Sequence, residues 1–499
     1  MRQYLLSFLQ LSAVIGLLIS VLMWSGCGRP DDFQPKGDLT FSEDSVKFDT
    51  IFTTIPSATQ RLYIYNNTNN NILINRVYVE RGKESDFKMT LDGVPGNDQS
   101  NIELAKGDSL IAFFTMKANA DQGDFNLTDN LYFQVGSNTQ RITMFARVLD
   151  AYIFRDTTVR DQDNFKWPTD KPVVVDGYVF VDSLSTLRIP AGSKIFFTAR
   201  RDSRYNFYSQ IFSNGTLIVN EFGGEPVLMT SFRINKDYNE QAGQWKGIRC
   251  SRWSKRNYIY KTIIKNCVTG VQVDSFSVDN DPKCVIRDCE LRNCSNFGIL
   301  GLGSVLTNVP NEIPAIQAYN TTIQNVGQSA VGMFFGGNYQ YFHCSFYGDR
   351  SVTFNRSQPL FGFQNYTQTQ SGAIDRAFRG NVVLQNSIIW GSNDEEFALS
   401  VAGNQLVGAN ISNNLLKTKL TADKIPGNNN LLNQNPRFKD IASDKYDFRL
   451  LSNSPARDAG LPLSRLQVLG VVAEDLATDK AGYSRDREKP DLGALEFKE

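Results

Sequence analysis

Histidine is nearly missing: the 499 residues contain one, His343. That excludes most histidine-built metal sites, Ser-His-Asp triads and paired-histidine mechanisms. Any chemistry is left to carboxylates, Lys, Arg, Tyr or a carboxylate-bound metal. Net charge is missing too, with 52 Lys+Arg against 52 Asp+Glu. The balance lacks the basic footprint of a nucleic-acid binder, so no nucleic-acid partner is expected. Cysteine is absent between Cys27 and Cys250, so no disulfide can staple that stretch. No stripe of helical period runs through the chain, which excludes helical repeats, and no Trp-Asp pair marks a propeller blade. After the first two dozen residues no apolar run reaches the ~17–25 residues that span a bilayer. At 41% hydrophobic and 21% charged residues, the chain is nonetheless too apolar to be disordered.

What is present begins with a targeting segment. Arg2 supplies charge, Leu5 to Met23 is apolar apart from Gln10, and Trp24-Ser25-Gly26-Cys27 follows. A charged start, an apolar stretch and small residues before a cut site describe an export signal. Small residues directly before a Cys resemble a bacterial lipoprotein signal, which implies a signal over 1–26 and lipid on Cys27. Trp24 departs from the residue usual there, and an uncleaved signal anchor is the alternative. Either places the rest outside the cytoplasm. Residues 27–38 are polar with Gly and Pro and read as a tether. The expected location is the cell envelope, anchored to the outer membrane; Asp31 and Asp32 resemble an acidic surface-export signal of Bacteroidota, which leaves both a periplasmic and an outward-facing position open.

Residues 39–150 read as a β-sandwich. Val46-Lys47-Phe48-Asp49-Thr50-Ile51-Phe52 alternates apolar and polar, and 61–65, 72–79, 110–114, 131–133 and 141–146 repeat the theme between Asn, Gly and Asp turns. The pattern resembles immunoglobulin-like domains. Residues 151–450 then change to short strands with Asn-rich turns. An approximate unit, apolar-x-Asn-small with a Gly soon after, recurs at Asn266, Asn293, Asn325 and Asn386. The first two intervals are 27 and 32 residues, inside the ~20–50 residue range of solenoids. A coil of three short strands needs about that many residues, so a parallel β-helix is expected. Asn suits the corners, since it tolerates left-handed backbone and its amide can ladder onto the next coil.

Several motifs carry a resemblance. Leu187-Arg188-Ile189-Pro190-Ala191-Gly192-Ser193-Lys194-Ile195-Phe196-Phe197 looks like the opening coil of right-handed parallel β-helix proteins of the pectin-lyase-like group. Gly243-Gln244-Trp245-Lys246-Gly247-Ile248 matches a rung that recurs in them. Asn453-Ser454-Pro455-Ala456-Arg457-Asp458-Ala459-Gly460 and Pro490-Asp491-Leu492-Gly493-Ala494-Leu495-Glu496 are similar to the choice-of-anchor Q segment, which implies a C-terminal cap over 451–499. Phe48 to Thr54 resembles lipoproteins of Bacteroidota with this layout. The resemblance implies a fold and a location, not a reaction.

Candidate chemistry is sparse. The Asn-Thr-Asp, Asp-Asp, Gly-His-Gly and Arg-Ile-Lys motifs of polygalacturonase-like enzymes are absent. A lyase would need a cation and a basic proton acceptor. Asp279-Asn280-Asp281 offers oxygens for Ca²⁺ but also reads as a turn, and so does Asn393-Asp394-Glu395-Glu396. Lys246, Arg249, Lys265, Arg287 and Arg292 lie on candidate rungs. Cys284, Cys289 and Cys294 are spaced by five, which puts neighbours on opposite strand faces and disfavours a metal. Cys267 and Cys294 share a place in the repeat and read as buried thiols, with a disulfide as the alternative. No catalytic residue, metal or cofactor is assigned. Aromatic residues beside polar ones suggest glycan contacts at Trp253, Tyr258, Tyr339 and Tyr341, since sugar rings stack on aromatic faces. The function expected is a non-catalytic surface protein that binds polysaccharide or another surface glycan. The alternative is a polysaccharide lyase or glycoside hydrolase working on the β-helix face.

Overall fold

The computed structural model describes residues 32–118, 125–160, 164–199, 209–234, 238–303, 313–349, 354–403, 409–442, 445–466 and 473–498. The signal segment and Cys27 lie outside them. Among the described residues no helix is long and apolar enough to cross a membrane. The chain divides between Asp150 and Ala151 into two compact units.

The first unit is a sandwich of two five-stranded sheets. One orders strands 40–41, 60–65, 109–116, 87–91 and 94–95; the other orders 45–52, 138–149, 125–135, 72–79 and 98–104. All neighbours are antiparallel except 45–52 with 138–149. Period-2 alternation sends Leu62, Ile64, Phe87 and Phe114 inward from one sheet, and Val46, Phe48, Ile74, Phe133 and Met144 from the other. Phe41 meets Phe133 at 4.9 Å, and Phe48 meets Phe87 at 5.4 Å, ring centroid to centroid.

The second unit is a parallel β-helix. Its strands stack in register into three faces. The first runs through 194–197, 227–231, 262–265, 290–294, 322–326, 345–348, 388–391 and 415–416. The second runs through 210–213, 247–250, 269–274, 297–302, 329–334, 361–364 and 397–400. The third runs through 186–189, 216–219, 257–260, 284–287, 316–319, 337–342, 380–385 and 410–412. Alternate residues of every strand fill one continuous apolar interior. Inside it the Phe197 and Trp245 rings stack at 3.8 Å, and the Trp245 indole N–H donates to the Lys265 carbonyl at 2.8 Å.

Two corners use left-handed residues. Between the first and second faces stand Asn266, Asn293 and Asn325, with φ of 64°, 53° and 50°. Their amides form a ladder: Asn293 Nδ2 donates to Asn266 Oδ1 at 3.2 Å, and Asn325 Nδ2 to Asn293 Oδ1 at 2.6 Å. Asn386 belongs elsewhere. It stands between the third and first faces, in line with Lys261, Asp288, Asn320, His343 and Asn413, all at positive φ. The sequence repeat therefore merges two different corners that share one backbone need.

The C-terminal segment lies along this second corner rather than across the end of the helix. Asp475 pairs with Arg287 at 2.6 Å, Thr478 accepts from Asn320, Ala494 bonds Ser345, Leu461 bonds Asn386 and Ala459 bonds Asn413. Phe438, Phe448, Leu450 and Leu492 cover Tyr347, Ile388 and Leu415 on the first face. Leu463 and Leu476 cover Tyr319, Phe342 and Val383 on the third. Six cysteines, Cys250, Cys267, Cys284, Cys289, Cys294 and Cys344, are buried free thiols; Cys267 and Cys294 sulfurs stack at 3.4 Å.

Candidate functional site

The outward side of the second face carries a row that its own strands dictate. Where Val179 and Val181 point inward, Phe180 must point out, and the register continues through Phe212, Arg249, Gln272 and Leu300. A second row holds Asp274, Leu302 and Phe334. Phe180 stacks on Phe212 at 5.6 Å, and the Arg249 guanidinium sits 5.4 Å from the Phe212 ring. Arg249 also holds Asp274 through Nε and Nη2, both at 2.7 Å, while Gln272 Nε2 donates to the other oxygen at 2.8 Å. Gly247 starts this strand at φ 106°, where a Cβ would lie 1.6 Å from the Thr269 carbonyl oxygen. Only glycine brings the chain onto the face there.

Trp253 stands on the turn from the second to the third face, three residues past the strand that carries Arg249. It is 60% exposed, with the Arg252 guanidinium 4.6 Å from its ring. The turn is pinned from below by Lys283, a fully buried side chain whose ammonium donates to the carbonyls of Arg252 at 3.0 Å and Asp274 at 2.7 Å. Burial lowers its pKa to about 8.

The other residues singled out in the sequence disperse. Tyr258 is half-buried on the outside of the third face, with its phenol pushed up to about 12 by burial. Tyr339 and Tyr341 do share one side of a strand, but it is the inside, at 1% and 0% exposure. The Tyr339 hydroxyl donates to the Gly336 carbonyl at 2.9 Å, and the ring packs where Gly301 leaves room, since a Cβ there would come within 2.5 Å of it. These two tyrosines are core and cannot contact a glycan. Asp279 and Asp281 each lie 2.9 Å from Arg256, and the Asn280 backbone N–H with that guanidinium holds the Asp279 carboxyl below its ordinary range. Glu396 is fully buried and paired with Arg356 at 2.6 Å, and Glu395 accepts from Thr418. Arg249, Arg287 and Arg292 fall on three different faces, so the basic residues form no single site. Among the described residues no group of three or more His, Cys, Asp or Glu is placed to hold a metal ion. A cavity of about 630 Å³ at the last coil is lined by Asp394, Lys417 to Ala422, Leu432 and Asn433, away from the aromatic row.

Sequence reasoning missed Phe180, Phe212, Gln272, Asp274 and Phe334. The signal for Phe180 was the unbroken apolar run Val179-Phe180-Val181, in which an aromatic residue interrupts the expected alternation, and the signal for Gln272 and Asp274 was the alternation Val271-Gln272-Val273-Asp274.

No protein-family model and no curated protein matches this chain. Solved structures match loosely. A family 123 glycoside hydrolase from Clostridium perfringens aligns at 8% identity and a TM-score of 0.17, over 23% of this chain and 26% of that one. This chain thus spans about a quarter of that enzyme's length. XylC, solved with xylose, aligns at 10% identity and a TM-score of 0.31, over 91% of this chain and 89% of that one. The Agl-KA catalytic domain aligns at 12% identity and a TM-score of 0.14, over 71% and 77%. Superpositions this loose carry no argument about this chain's activity.

Proposed function

We propose that this is an envelope lipoprotein whose second β-helix face binds an extended glycan without cleaving it. The observation that carries the reading is the outward row Phe180, Phe212, Arg249, Gln272 and Leu300, one residue per coil. Coils repeat every ~4.8 Å, so the row can follow a linear chain of sugars. Aromatic rings offer stacking area, and the Arg249–Asp274–Gln272 group offers fixed donors and acceptors at one point along it. Asp274 has both oxygens committed to Arg249 and Gln272, which suits orientation of a ligand better than proton transfer.

A glycan array followed by titration of the purified ectodomain tests it. Phe212→Ala with Trp253→Ala should weaken binding at least about tenfold, the effect of losing two stacking contacts. Turnover of the bound polymer, seen as unsaturated uronate absorbance or new reducing ends, would replace binding by catalysis. Attachment is tested separately: fatty-acid labelling should mark the wild type and spare Cys27→Ser.

A further inference from the structure

We infer that the outside of the first face holds a second, separate sugar subsite, built for the vicinal hydroxyls of a neutral sugar. Lys265, Arg292 and Gln324 occupy the same outward position on three successive coils. Glu240 and Glu290 flank them, and Lys480 of the C-terminal segment approaches Glu290. The turns beside these coils are short, 266–268, 295–296 and 327–328, whereas the connections before and after them are long, 232–246 and 349–360. Asn239 and Glu240 of the connection 232–246 reach over the first of these turns and bond Lys265 and Asn266.

Its internal bonding is incomplete. Elsewhere in this unit Arg356–Glu396 and Arg287–Asp475 close at 2.6 Å, as charge-assisted pairs do. Here Lys265 closes on Glu240 at 2.9 Å, but Arg292 stands 3.3 Å from Glu290 and 3.7 Å from Glu240, and Lys480 stands 3.6 Å from Glu290. Arg292 Nε, the atom that faces Glu290 at 3.3 Å, is buried and does not reach hydrogen-bond geometry. Gln324 is 1% exposed, donates to Glu290 at 3.3 Å, and leaves its Oε1 without a partner. A buried donor and a buried acceptor thus stand unmatched on adjacent coils, one strand spacing apart.

A group that accepts from the first and donates to the second mends both, and a hydroxyl does this. Two neighbouring hydroxyls do it while a carboxylate oxygen of Glu290 receives the other proton. Glu240, with a side chain 53% exposed, must give up its bonds to Lys265 at 2.9 Å and Asn293 at 2.5 Å to admit them. The carboxylates and cations of the group are set against one another, so a charged sugar finds no unengaged counter-ion there. A trapped water would meet the same two atoms, and the experiment separates the cases.

The subsite does not depend on the aromatic row, so it is tested where that row is disabled. Xylohexaose, cellohexaose, mannohexaose and hexagalacturonate are titrated calorimetrically into Phe212→Ala/Trp253→Ala protein. At least one neutral hexaose should still bind, and adding Gln324→Leu or Glu290→Gln should weaken it at least about tenfold. Melting temperatures are recorded for each variant, and the test is read from whichever of the two keeps the parent value. No neutral binding in this background, neutral binding indifferent to both changes, or binding of hexagalacturonate alone would overturn the inference. Equal titrations of wild type and Phe212→Ala/Trp253→Ala would instead overturn the aromatic-row reading and leave this one standing.

Discussion

Asp288 occupies a corner position where Asn320, Asn386 and Asn413 serve the neighbouring coils. The left-handed backbone accepts Asp as readily as Asn, but burial does not. One carboxyl oxygen has no hydrogen-bond partner, and desolvation raises the pKa to about 6 from the ordinary 3.8. The native state therefore binds a proton that the unfolded chain has lost between those values. Stability is highest below about pH 4 on this group's account and falls as pH rises to 6. Asp288→Asn should remove that slope. It should raise stability at pH 7.5 by on the order of 1 kcal/mol, less than the full shift because the weak pairing with Arg287 is lost too. Urea melts at pH 4.5 and 7.5 check both statements. Lys283 behaves oppositely. Its depressed pKa means the unfolded chain holds more protons between about 8 and 10.5, so its contribution to stability rises with pH across that window. Trp253→Ala, by contrast, should leave the melting temperature within about 2 °C of wild type, because an exposed ring buries little area.

Strands and turns were legible in unequal measure. The period of 2 in the sandwich and the Asn corners of the solenoid follow from backbone needs that a single residue type reveals. Which side of a strand faces inward does not. Tyr339 and Tyr341 alternate with Asn338 and Gln340, a pattern that puts both tyrosines on one side of the strand without saying which side faces inward. What hid the answer was space: the Tyr339 ring fits inside because the preceding coil supplies Gly301, a neighbour set by register and invisible along the chain. The aromatic row on the second face was hidden for the mirror reason, since Phe180 and Phe212 look like core until their neighbours are known to be. At this scale the Asn ladder gives a prediction. Asn293→Ala loses both the ladder amide and the tolerance for φ 53°, and should cost about 2 kcal/mol in urea unfolding. Asn293→Gly keeps the backbone and should recover part of that.

At the scale of the whole chain the two units make different demands. The sandwich closes its own core, so a fragment of residues 36–150 should melt cooperatively by circular dichroism. The β-helix does not finish with its last coil. Removing residues 451–499 would bare Phe342 and Val383 on the third face and strip Ala456 and Leu492 from the cluster over Ile388 and Leu415 on the first. The truncated protein should aggregate or bind a hydrophobic dye, as size-exclusion chromatography and fluorescence would show.

The returning C-terminal segment has a further consequence for how the protein is made. A plain solenoid can settle coil by coil as it emerges from a ribosome or a translocation pore. This one cannot, because Arg287 waits for Asp475 and Ser345 waits for Ala494. The coils from strand 284–287 onward have their interior filled before their flank is covered. Maturation is thus timed by the arrival of the last fifty residues, and a chain stalled short of them leaves a finished-looking helix with an adhesive side.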